Sequence, residues 1–353
     1  MTCNASQFEN DGQSIRPSDD QFQADLFASV YPMPFIFRCL TFCVGIPIQL
    51  LVAIVILKSR RLHNPRNAFC LGNICCCFST LLISAYECLL LIYRPNRPLF
   101  CQLYGLLVGS PYSNLLVTIL LATVDRWFAI SAPIKHRKHV TVFRVAVLLV
   151  TSWISVLLIN TSSYWLGWHQ VSVSCTVNPD IMKWVSLSHL VLVGLIVVAQ
   201  VAVYIRTRSY LRFNAQLSMK CKHSARENST LEPDEYFVHL PNKTICRLEL
   251  EASVTLACGV TSLCVSALPM ASIFLALIIC QIGIDQLNCN HAIFIASIPY
   301  VREMLLLHVV IGPILYITRS REFSKALRRT LPFLFSRLFT HRKRVTPSLI
   351  QRF

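Results

Sequence analysis

A chain of 353 residues with 54% hydrophobic and only 14% charged residues falls well short of the roughly 25% charge of soluble globular domains. Its apolar residues gather in long runs instead of alternating, which excludes a β-barrel and a soluble core and favours helices in lipid. The net charge of +16 does not signal nucleic acid, because the basic residues sit in short segments between the apolar runs.

Residues 1–32 are polar and acidic with no apolar core, so they read as an extracellular tail without a cleaved leader. Asn4-Ala5-Ser6 matches the N-glycosylation acceptor pattern. Seven apolar stretches follow, at about 33–57, 67–93, 101–132, 142–166, 181–206, 250–280 and 292–317. At 1.5 Å of rise per residue, about 20 residues cross the roughly 30 Å hydrocarbon core, and each stretch is long enough. Residues 33–318 therefore read as a single all-α membrane domain of seven spans, with a loop at about 207–247.

Lysine and arginine set its orientation. Lys58, Arg60, Arg61 and Arg66 follow the first span, Lys135, Arg137 and Lys138 the third, and Lys220, Lys222, Arg226 and Lys243 the fifth. A basic segment from Arg319 to Arg352 follows the seventh, whereas the opposite connections hold chiefly Arg94, Arg97 and Lys183. The positive-inside rule then puts the N-terminus outside and the C-terminus in the cytoplasm. On that topology Asn228-Ser229-Thr230 and Asn242-Lys243-Thr244 are chance acceptor matches in an inner loop. Residues 319–353 form a basic tail, in which Phe323, Leu327 and Leu331 recur at helical spacing. That pattern predicts a short amphipathic helix lying on an anionic lipid leaflet.

The third stretch carries only two charged residues, Asp125 and Arg126, and charge in a membrane segment marks a functional position by default. Most of the sixteen cysteines are scattered in apolar runs such as Cys75-Cys76-Cys77, where they read as small buried hydrophobes. No zinc-like cysteine spacing, phosphate loop or nucleophile with a partnered base is present, so the chain reads as a non-enzyme without cofactor or metal. The lack of internal repeats speaks against a transporter or channel.

Several short motifs occur in a fixed order. They are Leu62-His63-Asn64-Pro65-Arg66-Asn67, Cys101, Asp125-Arg126-Trp127, Trp153, Cys175, Pro269, Pro313-Ile314-Leu315-Tyr316 and Arg319-Ser320 followed by Glu322-Phe323. Together they resemble the rhodopsin-like (class A) family of G-protein-coupled receptors over about 33–331, with Trp127 in place of the usual tyrosine. The resemblance implies a receptor in the plasma membrane that binds an extracellular ligand and activates a heterotrimeric G protein. It implies a disulfide between Cys101 and Cys175 on the oxidising side, and Cys280 and Cys289 flank the last outer loop as either a second bond or two free thiols. It also implies a two-state latch. Asp125 and Glu249 neutralise Arg126 at rest, the sixth span swings out on activation, and Tyr204 and Tyr316 stabilise the open form.

Departures from the family pattern are equally specific. Cys77 stands where the family has its sodium-holding aspartate, Gln49 and Gly312 where it has asparagines, Ala267 at the tryptophan toggle, Leu263 for a phenylalanine and Ile196 for a proline. These changes keep open an alternative: a receptor-like protein with weak, ligand-independent or lost coupling. Val108 replaces the aspartate that aminergic receptors use, and Leu306 the lysine that opsins use, so amines and retinal are poor fits. Near the outer ends, either Arg38, Glu87, Arg302 and Glu303 neutralise one another, or Glu87 or Arg302 grips a charged end of a peptide or small polar ligand, with Tyr112 and His189 deeper in the pocket.

Overall fold

The structure, a computed structural model, describes residues 32–93, 109–165, 187–209, 243–282 and 291–330, together with positions 103, 107 and 212. Asn4, Cys101, Val108, Cys175, Cys289 and Leu331 lie outside the described residues, as do the side chains of Glu87, Glu249 and Cys280.

The apolar runs become helices because a backbone in hydrocarbon must satisfy its own hydrogen bonds. In chain order these are α1 (Pro32–Lys58), α2 (Pro65–Tyr93), α3 (Ser110–Ser131), α4 (Pro133–His139), α5 (Val142–Trp165), α6 (Leu187–Ser209), α7 (Lys243–Ile282), α8 (His291–Arg319) and α9 (Arg321–Thr330). Seven of them, all but α4 and α9, are long and apolar enough to cross a membrane. Side chains such as Leu40, Leu57, Ile159 and Val198 point outward along these helices, an apolar belt whose extent suits lipid and not water.

Neighbours in the bundle follow from the contacts. α1 packs between α2 and α8, α8 packs on α7, and α3 is held by α2, α5 and α7. With no hydrophobic effect between helices in lipid, association rests on close packing and small residues. Cys76, Cys77 and Leu81 of α2 meet Leu115, Leu116 and Ile119 of α3, Ile196 of α6, Val260 and Leu263 of α7 and Leu306 and Val309 of α8 in one buried core. Gly72 shows how closely α2 and α5 approach: a Cβ there would lie 2.8 Å from the Leu149 Cδ1 of α5, so a larger residue would require that side chain to move.

Polar ties lock the same layers. Trp153 Nε1 of α5 donates to Thr118 Oγ1 of α3 at 2.9 Å. Gln49 Nε2 of α1 donates to the Val309 carbonyl of α8 at 2.7 Å. Ala267, Leu263 and Ile196, three of the positions that depart from the family pattern, are all buried in the core. Small or aliphatic side chains there fill space without the polar handle a tryptophan would bring.

Two elements differ from the sequence reading. α4 is a seven-residue helix that the sequence pattern does not announce, because it buries no residue and so carries no apolar period. α9 forms where the amphipathic pattern predicts, but its apolar side faces protein instead of a lipid leaflet. Phe323 and Leu327 are buried against Val52, Val55, Ile56 and Leu62 at the end of α1. The connection through Ser320 is short enough to fold α9 back onto that surface, and its exposed side keeps Lys325, Arg328 and Arg329.

Candidate functional site

The end of the bundle where α3 stops is organised by a break in the backbone. The Ala132 N–H closes α3 on the Phe128 carbonyl at 2.9 Å, and Ala132 itself leaves helical geometry at φ −142° and ψ 67°. Pro133 then starts α4, a position that suits proline because its missing N–H would be unsatisfied there anyway. The turn folds α4 back on α3, so that His136 reaches a residue eleven positions earlier.

That residue is Asp125. Its Oδ2 accepts from Arg126 Nη2 at 2.7 Å and its Oδ1 is 2.8 Å from His136 Nε2. An ionised carboxylate only accepts, so the imidazole donates through Nε2–H. Asp125 and Arg126 are both buried, where a charge is tolerated only with partners. The His136 ring also lies 5.7 Å from the Phe128 ring. Sequence reasoning missed His136. The available signal was Pro133, which as a helix start places His136 one turn on.

A second cluster sits beside it. Tyr316 of α8 donates its hydroxyl to Asn67 Oδ1 at 2.9 Å, while Asn67 Nδ2 donates to the Leu62 carbonyl at 2.9 Å. The Tyr316 ring meets Phe323 edge to face at 5.0 Å, and Arg66 pairs with Glu322 across the starts of α2 and α9. Between the two clusters lies a cavity of about 140 Å³, lined among others by Arg66, Asn73, Arg126, Gly259, His308 and Tyr316. α7 contributes one wall; its Pro269 lies inside the helix and lacks the N–H that would complete the ladder.

At the opposite end, Arg38 of α1 and Glu303 of α8 form a buried ion pair, with Arg38 Nε 2.9 Å from Glu303 Oε1. Arg302 is half-buried next to it in the chain. Deeper, His189 Nε2 of α6 lies 2.7 Å from Ser113 Oγ, and its ring meets Tyr112 edge to face at 4.9 Å. Asn160 Nδ2 of α5 donates to Ser113 Oγ at 3.3 Å.

The structure thus brings Asp125 and Arg126 together with His136, and Tyr112 together with His189. It sets Tyr316 on Asn67, and it leaves Tyr204 outside the Asp125 cluster, 61% exposed on α6. Trp127, next to Arg126, is also exposed. No group of three or more His, Cys, Asp or Glu side chains among the described residues converges on a metal position.

Seven helices long and apolar enough to cross a membrane, with a short helix packed on one end of the bundle, give the chain a rhodopsin-like fold. The crystal structure of squid rhodopsin has this fold: the two align with a TM-score of 0.65 at 15% identity, covering 91% of this chain and 93% of that one. Human G-protein coupled receptor 26 is 26% identical over 93 residues, which is 25% of this chain. The aligned stretch spans 28% of that receptor's length. No family model matches the chain. The likeness is therefore one of architecture with a thin sequence thread.

Proposed function

We propose that the chain is a G-protein-coupled receptor of the plasma membrane, not an enzyme, with its N-terminus outside and the Arg126 end in the cytoplasm. It takes an extracellular ligand, a peptide or small polar molecule, and activates a heterotrimeric G protein. The observation that carries this reading is the Asp125 carboxylate shared between Arg126 and His136 at the mouth of a cavity walled by α7. Such a carboxylate is a latch: while it holds the guanidinium, part of the charge of Arg126 is already neutralised and its side chain is held in place.

The basic side chains on α4 and α9 support the topology, since they gather at the same end as Arg126. An outward pivot of α7 about Pro269 would widen the cavity and uncover Leu256 and Val260. An amphipathic helix end of the G protein would then dock in the groove, with Arg126 at its base. Tyr112 and His189 line up as hydrogen-bonding groups on the ligand side, below the Arg38–Glu303 pair.

The test is guanine-nucleotide exchange by purified receptor reconstituted with several G proteins. Arg126→Ala should abolish exchange, and Asp125→Asn should raise the basal rate. Unchanged exchange in both variants would overturn the reading. It would favour instead a receptor-shaped scaffold, for which the buried Ala267 and the Gly312 position are the supporting observations.

A further inference from the structure

α4 ends at His139 and α5 begins at Val142, so only Val140 and Thr141 link them. Val140 is extended, at φ −93° and ψ 107°. Thr141 holds the start of α5: its Oγ1 accepts the Arg144 N–H at 3.3 Å and its carbonyl accepts the Val145 N–H at 3.0 Å. The Thr141 side chain is exposed, and so are those of Lys135, Arg137, Lys138, His139 and Arg144. Arg144 reaches back across the link, where its Nη1 donates to the His139 carbonyl at 2.6 Å. No acidic residue stands in the sequence between Asp125 and Asp180. The hydroxyl is therefore presented on a short extended link with cations on both sides and no carboxylate to offset them.

We infer that Thr141 is a phosphorylation site for a kinase with an acidic substrate groove, and that the phosphate loosens α4. The inference rests on the topology proposed above, which puts this link in the cytoplasm with ATP. The Thr141 oxygen bonds to the γ-phosphorus of ATP, the bond from that phosphorus to the β-phosphate oxygen breaks, ADP leaves, and the hydroxyl proton passes to the kinase's catalytic carboxylate. Cations flanking the hydroxyl complement an acidic groove. Access costs little, because α4 buries no residue: lifting it uncovers no apolar surface and gives up the His136–Asp125 bond. Once attached, the phosphate carries about two negative charges and three acceptor oxygens. Arg144 then turns from the uncharged His139 carbonyl to the phosphate, which adds an attraction between opposite charges. α4 loses the tie at its last residue, and His136, three residues earlier, holds Asp125 less firmly.

The test uses the full chain in lipid nanodiscs, which leave both faces open. It is treated with Mg²⁺, ATP and the purified catalytic fragment of protein kinase C, which takes basic substrates; casein kinase 2, which takes acidic ones, is the control. Trypsin releases His139–Arg144 as one peptide in which Thr141 is the only hydroxyl, so its mass assigns the phosphate. The expected result is phosphate on this peptide with the first kinase alone. Arg137→Gln/Lys138→Gln changes two exposed side chains and yields the peptide His136–Arg144, again with one hydroxyl. It should slow the transfer about tenfold, the factor for two exposed ion pairs of about 0.7 kcal/mol each. No phosphate on Thr141, or an equal rate in this variant, overturns the site. Phosphorylated wild type should then show faster hydrogen exchange in α4 and about fivefold faster basal nucleotide exchange, whereas Thr141→Ala treated in the same way should show neither. Unchanged hydrogen exchange in α4 overturns the loosening. A loosened α4 in a chain that drives no nucleotide exchange in any form upholds the inference and counts against the receptor reading.

Discussion

Replacing Glu303 by glutamine removes one charge and almost no volume, so it isolates the worth of the buried pair with Arg38. Both side chains are at least nine-tenths buried, at 7% and 5% exposed, and Arg38 Nε stands 2.9 Å from Glu303 Oε1. At an effective dielectric of about 20 that distance gives a gross attraction of about 6 kcal/mol. Arg38 is six residues into α1, near enough to the bilayer edge to turn its guanidinium toward water and recover part of the loss. The expected cost of Glu303→Gln is then about 3–4 kcal/mol, at the lower end for a broken buried pair. Arg38→Met alone should cost a similar amount. The double variant Arg38→Met/Glu303→Leu should come within about 1 kcal/mol of wild type, because no charge is left to desolvate. Thermal unfolding in nanodiscs, followed by circular dichroism, measures all three. A single variant costing under about 1 kcal/mol would refute the pairing argument, and so would a double variant as unstable as the singles.

Three further outcomes are expected. His136→Phe keeps a ring beside Phe128 but frees one oxygen of Asp125. Basal nucleotide exchange should rise roughly fivefold, the equivalent of about 1 kcal/mol from a hydrogen bond to a charged group at a partly wet site, and an unchanged rate would remove His136 from the latch. Phe323→Ala should destabilise by about 3–5 kcal/mol, as for a buried phenylalanine, with hydrogen exchange in α9 accelerating first. Sodium should not damp ligand binding or exchange, since the Cys77 thiol lacks the oxygens a hard cation requires; a large sodium effect in a concentration series would contradict this.

The spans were legible because lipid imposes one rule along their whole length, and the runs at 33–57 and 142–166 match α1 and α5 within a few residues. Ends were less legible where a helix continues past the hydrocarbon. α7 begins at Lys243, seven residues before the apolar run, because a polar turn in water extends a helix without any hydrophobic signal. The Asp125–Arg126 pair stood out as the only charge in its span, but its third member did not. His136 is one of five basic residues in a seven-residue helix, and only the break at Ala132 singles it out. Tyr204 and Tyr316 occupy comparable motif positions, yet one faces outward and the other bonds Asn67. Position along the chain does not say which way a side chain points. The same holds for Phe323 and Leu327: their spacing reveals an apolar face, while the surface it covers depends on α1.

Burial of that face has a practical side for anyone handling the protein. Because Phe323 and Leu327 plug the foot of α1, cutting the chain at Ser320 to shorten its tail would strip a lid from the bundle and uncover Val52 and Val55. Affinity tags, fluorescent fusions and crystallisation partners belong after Thr330, where the plug stays seated.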